Sequence, residues 1–173
     1  MKKEDFKISD PISNIEWMDA RELSANDYNP NVVLTQEMRL LEFSILKQGW
    51  IQPILVTKTN VVIDGFHRFS LSKNSKALIE KYNYQIPVVK MDLTEPERMM
   101  LTIRINRAKG NHQAFKMHEI VHSLINVHKL TIPEIQKGIG ASRKEVELLS
   151  TEGVFEALDI KNHEYSEAWT PKK

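Results

Sequence analysis

The run Val61-Val62-Ile63-Asp64-Gly65-Phe66-His67-Arg68 brings together what phosphate chemistry needs. A β-branched apolar stretch ends at Asp64-Gly65, a dipeptide suited to a sharp turn, and helical spacing resumes after it. A helix start has unpaired backbone N–H groups and the positive end of the helix dipole, which together attract an anion. Gly65 lets the backbone approach closely, and His67 and Arg68 add side-chain donors suited to phosphate oxygens. Asp64 has the chemistry to hold a metal ion such as Mg2+ or to accept a proton, which makes Asp64 and His67 the candidate catalytic pair. The plain alternative is a β-turn whose Asp64 caps the helix while Arg68 makes a surface ion pair.

Two other stretches carry chemical patterns. His118-Glu119-Ile120-Val121-His122 has the H-E-x-x-H spacing that puts two imidazoles on one helix face. The third ligand of a zinc peptidase does not follow, since His128 falls at the wrong spacing and Glu145 and Glu147 sit in a helix better explained otherwise. A solvent-side stripe with Ile120, Val121 and Leu124 toward the core is expected, without zinc. Leu130 to Val146 resembles a helix-turn-helix: Ile135, Ile139, Ala141 and Val146 at core positions, Gly140 at the turn, Ser142 capping the second helix. Arg143 and Lys144 then lie near the start of a recognition helix as candidate DNA contacts. Gln136 stands where such motifs use Ala for close packing, and Glu145 and Glu147 repel phosphates, so a structural hairpin is the alternative.

These groups are positioned by an α+β front half and a helical back half. Ile15 to Met18 reads as a short strand, and Ser24 to Asn31 is a cluster of turn formers. Helical spacing from Thr35, a candidate N-cap, runs through Met38, Leu41, Ile45 and Leu46 to a stop at Gly49. Ile51 to Thr57 and Val61 to Ile63 read as strands around a turn at Lys58-Thr59-Asn60, followed by one helix from His67 to Tyr82 and a strand from Ile86 to Met91. Helices are then predicted near 94–108, 114–128, 131–139 and 142–150, punctuated by Gly110, Pro133 and Gly140.

Composition narrows the function classes. At 173 residues with 41% apolar and 27% charged side chains, the chain is long enough to bury a core without staples. The lack of cysteine rules out disulfides, thiolate metal sites and cysteine nucleophiles. No apolar run approaches a membrane span, and MKKEDFKISD lacks the core of a signal peptide, so a cytoplasmic address without membrane partners is expected. The net charge of +1 advertises nothing, but residues 101–150 carry 8 basic and 4 acidic side chains, a local lean toward a phosphate backbone.

Gly49-Trp50-Ile51-Gln52-Pro53-Ile54-Leu55-Val56, followed by Asp64-Gly65-Phe66-His67-Arg68 and preceded by Asn29-Pro30-Asn31, resembles the ParB/sulfiredoxin superfamily over about residues 15–112. With Arg104-Ile105-Asn106-Arg107-Ala108-Lys109-Gly110-Asn111-His112 added, the pattern is most similar to ParB-like proteins of the IbrB-like group, found with a phosphoadenosine-phosphosulfate-reductase-like partner in mobile elements. The resemblance implies a small mixed sheet with packed helices, followed by a helical, helix-turn-helix-like C-terminal extension. The domains expected are 12–112 for nucleotide binding, 113–153 for the helical region and 154–173 for an acidic tail.

The resemblance also sorts the activities. Sulfiredoxins place a cysteine where this chain has Phe66, so that chemistry is excluded. Segregation-type ParB proteins bind CTP, and an "E-N-x-x-R" segment supplies Glu and Asn to magnesium. Asn106 and Lys109 fall on its Asn and Arg, but Ile105 replaces the Glu, and an aliphatic side chain cannot ligate a hard cation. Free serine kinases share "D-G-x-H-R", yet their catalytic glutamate falls where this chain has Ala25-Asn26-Asp27-Tyr28. Hydrolysis by Asp64 and His67, as in nuclease members, lacks a dense carboxylate cluster. The expected function is a nucleotide-binding, DNA-associated regulatory protein that takes CTP, ATP or ADP with Mg2+ and pairs as a homodimer. Gln52, Pro53, Gly65, His67, Arg68, Asn106 and Lys109 would hold the nucleotide. A kinase, phosphohydrolase or nuclease of the same fold is the alternative, and whether the chain is an enzyme stays open.

Overall fold

The computed structural model describes residues 9–26, 36–108 and 114–151. Strands β1 (Ile15–Asp19), β2 (Ile54–Thr57), β3 (Val62–Asp64) and β4 (Gln85–Met91) form one mixed sheet in the order β1-β4-β2-β3. β4 runs antiparallel to β1 and parallel to β2, and β2 runs antiparallel to β3. The helices are α1 (Gln36–Gln48), α2 (Phe66–Asn74), α3 (Lys76–Tyr82), α4 (Glu95–Ala108), α5 (Ala114–Asn126), α6 (Ile132–Ile139) and α7 (Arg143–Ser150). This is the α+β class expected, with a small mixed sheet and a helical C-terminal part.

Two local readings are corrected. The strand predicted over Ile51–Thr57 begins only at Ile54, because Pro53 has no N–H for a ladder and the carbonyls of Gln52 and Pro53 are taken by Arg68. The single helix predicted from His67 to Tyr82 breaks at Ser75. The Ser75 N–H closes α2 on the Leu71 carbonyl, while its Oγ accepts from the Leu78 N–H to open α3 and donates to the Glu42 carboxylate of α1. A buried Ser with three such partners is worth more as a double cap than as a helix interior. Pro87 fits a central strand because the β2 ladder starts only at Val88. Gly49 does end α1, at φ +85, but Thr35 and Asn29-Pro30-Asn31 lie outside the described residues.

The chain divides into two compact units between Arg98 and Met99, inside α4. In the first unit, Ile54, Val56, Val62, Ile86 and Val88 pack with Ala20, Leu23 and Phe69. Met38, Ile45, Leu71 and Leu78 form a second cluster among α1, α2 and α3. Each Val, Leu, Ile, Phe or Met side chain among them contributes about 1.5–3 kcal/mol when fully buried. In the second unit, Ile120, Val121, Leu124, Ile135, Ile139 and Val146 are buried, as the helical spacing predicted for them, and Leu149 joins them, whereas Ala141, expected at a core position, is half-buried in the turn between two helices. Helices α4 and α6 start alike: in Thr94-Glu95-Pro96-Glu97 and Thr131-Ile132-Pro133-Glu134 the Glu carboxylate accepts from the Thr N–H and hydroxyl. The Thr hydroxyl, then its N–H, holds each Glu below the usual carboxylate range. Among the described residues no helix is long and apolar enough to cross a membrane.

Candidate functional site

β3 delivers Asp64 to the sheet edge and Gly65 turns the chain into α2. Gly65 occupies the N-cap of α2 at φ 95, ψ 24, a left-handed conformation that L side chains rarely adopt. It has no side chain to cap the first turn, and its carbonyl accepts the first helical bond from the Phe69 N–H at 2.9 Å. Among the described residues, the amides of the first turn are therefore not closed by a side-chain cap. A Cβ at position 65 would come within 3.1 Å of Arg68 Nη2 and 3.2 Å of Ile54 Cγ1, so the guanidinium lies directly beside the turn.

Arg68 is not the surface residue of the plain alternative. Its side chain is 11% exposed. Nη1 donates to the Gln52 carbonyl at 2.8 Å and the Pro53 carbonyl at 2.7 Å, while Nη2 lies 3.5 Å from Asp64 Oδ2. Burial pushes the guanidinium pKa down, and the Asp64 carboxylate opposes this only in part. A desolvated, weakly paired cation beside uncapped helix amides is a place for an anion. His67 is exposed on the first turn. Phe66 turns toward the core, edge-to-face with Phe69 at 6.2 Å, and leaves the turn to His67.

The other predicted residues distribute as follows. Gln52 is exposed and Pro53 half-buried in the loop that Arg68 holds, so these two come together with Gly65, His67 and Arg68. Asn106 is half-buried on α4 in the second unit, and Lys109 lies outside the described residues. For Mg2+, the described residues contain no cluster of three acidic or His side chains, and Arg68 competes with a cation for Asp64. Asp64 would hold the ion only together with phosphate oxygens of a nucleotide, whose charge the ion would neutralise. A groove of about 300 Å³ lies at the other end of β2, lined by Thr57, Lys58, Thr59, Met91, Asp92 and Arg98, away from these groups.

Sequence reading missed Asn26. It is 4% exposed, donates to the Val62 carbonyl at 3.0 Å, and its Oδ1 meets no donor among the described residues. Only the parallel bridge from Ser24 to Val61 places it alongside β3, and nothing in local spacing announces that bridge.

In the second unit, Gly140 at φ 68, Ala141 and Ser142 join α6 to α7, and Ser142 Oγ accepts from the Glu145 N–H. Close helix approach occurs at Gly138 rather than Gln136: a Cβ on Gly138 would sit 2.0 Å from Met100 Sδ. Arg143 and Lys144 are exposed at the start of α7. The two glutamates read as repelling phosphate are each paired, Glu145 with Arg107 at 2.6 Å and Glu147 with Arg143 at 2.7 Å. His118 and His122 are half-buried rather than on a solvent face, and His118 Nδ1 lies 2.6 Å from the Leu149 carbonyl, tying α5 to the end of α7.

No protein-family model matches the chain. It is 36% identical over 167 residues to the uncharacterized protein YbdM of Escherichia coli (strain K12), covering 94% of this chain and 79% of YbdM. It is 29% identical over 121 residues to the probable chromosome-partitioning protein ParB of Borreliella burgdorferi, covering 68% of this chain and 44% of that protein. Among solved structures, the pNOB8-like ParB N-domain aligns with TM-score 0.55 and 14% identity over 78% of this chain and 64% of that one. The truncated ParB of Caulobacter crescentus complexed to the centromeric parS site aligns with TM-score 0.50 and 17% identity over 84% and 78%. The same Caulobacter protein complexed with CTP-gamma-S aligns with TM-score 0.45 and 18% identity over 85% of each chain.

Proposed function

Because the chain belongs to one family with YbdM, within the ParB-like superfamily, we propose that it is a nucleotide-binding, DNA-associated regulatory protein. The observation that carries this is the Gly65 turn, where the helix starts without a side-chain cap from Gly65, His67 is exposed on the first turn and desolvated Arg68 lies beside Asp64. His67 and the first-turn amides take phosphate oxygens, Arg68 supplies fixed positive charge, and Gln52 helps position the nucleotide. CTP is the first choice, as the resemblance to segregation-type ParB proteins implies, and ATP and ADP are its competitors. Parallel to this, the helix-turn-helix reading makes α6 and α7 the DNA-contacting pair, with Arg143 and Lys144 at phosphates. That assignment is supported by the three-residue turn, the cap at Ser142 and the pairing of both α7 glutamates with arginines.

The kinase and nuclease readings find no support in these relatives, and the IbrB-like placement with its reductase-like partner finds none either. Titration calorimetry of the full chain with CTP, ATP and ADP, each with Mg2+ and with or without duplex DNA, tests the nucleotide reading. Saturable heat with one nucleotide, lost in His67→Ala, is expected. The absence of heat under all of these conditions would remove the reading.

A further inference from the structure

Resting on the Gly65 turn as a nucleotide site, we propose that Arg68 couples the filling of that turn to the loop of residues 49–53, so that each holds the other. The guanidinium has five N–H donors in a rigid plane. Its Nη1 edge is bonded to the Gln52 and Pro53 carbonyls at 2.8 and 2.7 Å. Its Nη2 is 3.5 Å from Asp64, at the long limit of a hydrogen bond, and is the nearest atom to the absent side chain of Gly65. One edge of the cation faces the loop and another faces the turn. A phosphate on the turn takes the Nη2 edge without displacing either carbonyl, and the guanidinium then bridges ligand and loop through charge-assisted bonds.

Trp50 anchors the start of the loop on the core, and beyond it the loop leans on this bridge. Pro53 brings no N–H, Ile51 is 76% exposed, and Gly49 sits at φ +85. Loosening the loop removes the two acceptors that aim Arg68, so ligand affinity falls through Arg68 as well as through any contact that Gln52 makes. Gln52 and Pro53 thus act as positioning residues through their backbone carbonyls. Trp50 reports on the loop: it packs edge-to-face on Tyr82 at 6.1 Å, and its buried Nε1 meets no acceptor among the described residues.

The experiment uses the full chain with Trp17→Phe and Trp169→Phe, which leaves Trp50 as the remaining one of three tryptophans. Titration with CTP and Mg2+ is followed by calorimetry and by Trp50 emission, with amide exchange measured over residues 50–55. We expect the emission to shift along the binding isotherm and exchange in the loop to slow several-fold. Pro53→Gly is expected to weaken binding about tenfold, the scale of hydrogen bonds to a charged group. Arg68→Lys keeps the charge but lacks the fork, so whatever CTP it binds leaves loop exchange unchanged. Binding by the parent without any change at Trp50 or in loop exchange overturns the coupling and leaves the nucleotide reading intact. Affinity in Pro53→Gly equal to that of the parent overturns the coupling too, whereas no heat with the parent removes the nucleotide reading and the coupling with it.

Discussion

A methyl group at position 65 would meet two obstacles at once: a backbone at φ 95, and the Arg68 guanidinium and Ile54 packed 3.1–3.2 Å from where it would sit. Gly65→Ala is therefore expected to destabilise the chain by about 1–3 kcal/mol. Urea unfolding checks this, and a midpoint equal to that of the parent would show that the turn relaxes freely. The need for glycine here was legible, because a strand ending in Asp-Gly before a helix leaves few conformations open. The state of Arg68 was not. The sequence left it as either a surface ion pair or a phosphate donor, whereas its strongest bonds go to the carbonyls of residues 52 and 53 in a distant loop. Backbone acceptors leave no trace in residue type, so such bonds are invisible to spacing.

Helix ends and helix faces followed the local code where capping decided them. Ser142, the Thr131–Glu134 box and the αL residues Gly49 and Gly140 all stand at the ends where their chemistry placed them. Where packing decided, the code failed: Gln136 was weighed as the close-packing position, but Gly138 is the residue that α4 approaches, through Met100. Gly138→Ala sets two effects against each other. Helix propensity favours Ala by about 1 kcal/mol, while the overlap with Met100 Sδ costs about 1–3 kcal/mol unless that flexible side chain swings aside. We expect net destabilisation, with faster amide exchange in α6; a stabilised variant would mean that Met100 has room elsewhere. Ser75 gives the same lesson in reverse, since its bond to Glu42 on α1 is what breaks a stretch whose periodicity reads as one helix.

For the whole chain, charge is balanced at +1, and the DNA reading rests on a local excess in residues 101–150 rather than on a global field. Binding to duplex DNA should weaken as salt rises. Lys144→Ala should lower the affinity and reduce the log–log salt slope by about 1, as expected when one phosphate is no longer neutralised by a lysine. Arg143→Ala, which also strips Glu147 of its partner, should weaken binding as well. Salt-titrated binding that ignores both substitutions would leave α6 and α7 a structural hairpin. The sequence alone determined the class of the fold, the order of the elements apart from the break at Ser75, most of the apolar residues that fill the core and the turn at Gly65, because periodicity, capping and glycine conformation are properties of neighbouring residues. Tertiary structure alone decided that Arg68 is buried and bonded to a loop, that Asn26 lies against β3 and donates to the Val62 carbonyl, and that α7 pairs its glutamates with arginines. Those outcomes depend on which distant backbone groups the sheet and helices bring within about 3 Å, a matter of three-dimensional register that composition and spacing do not encode.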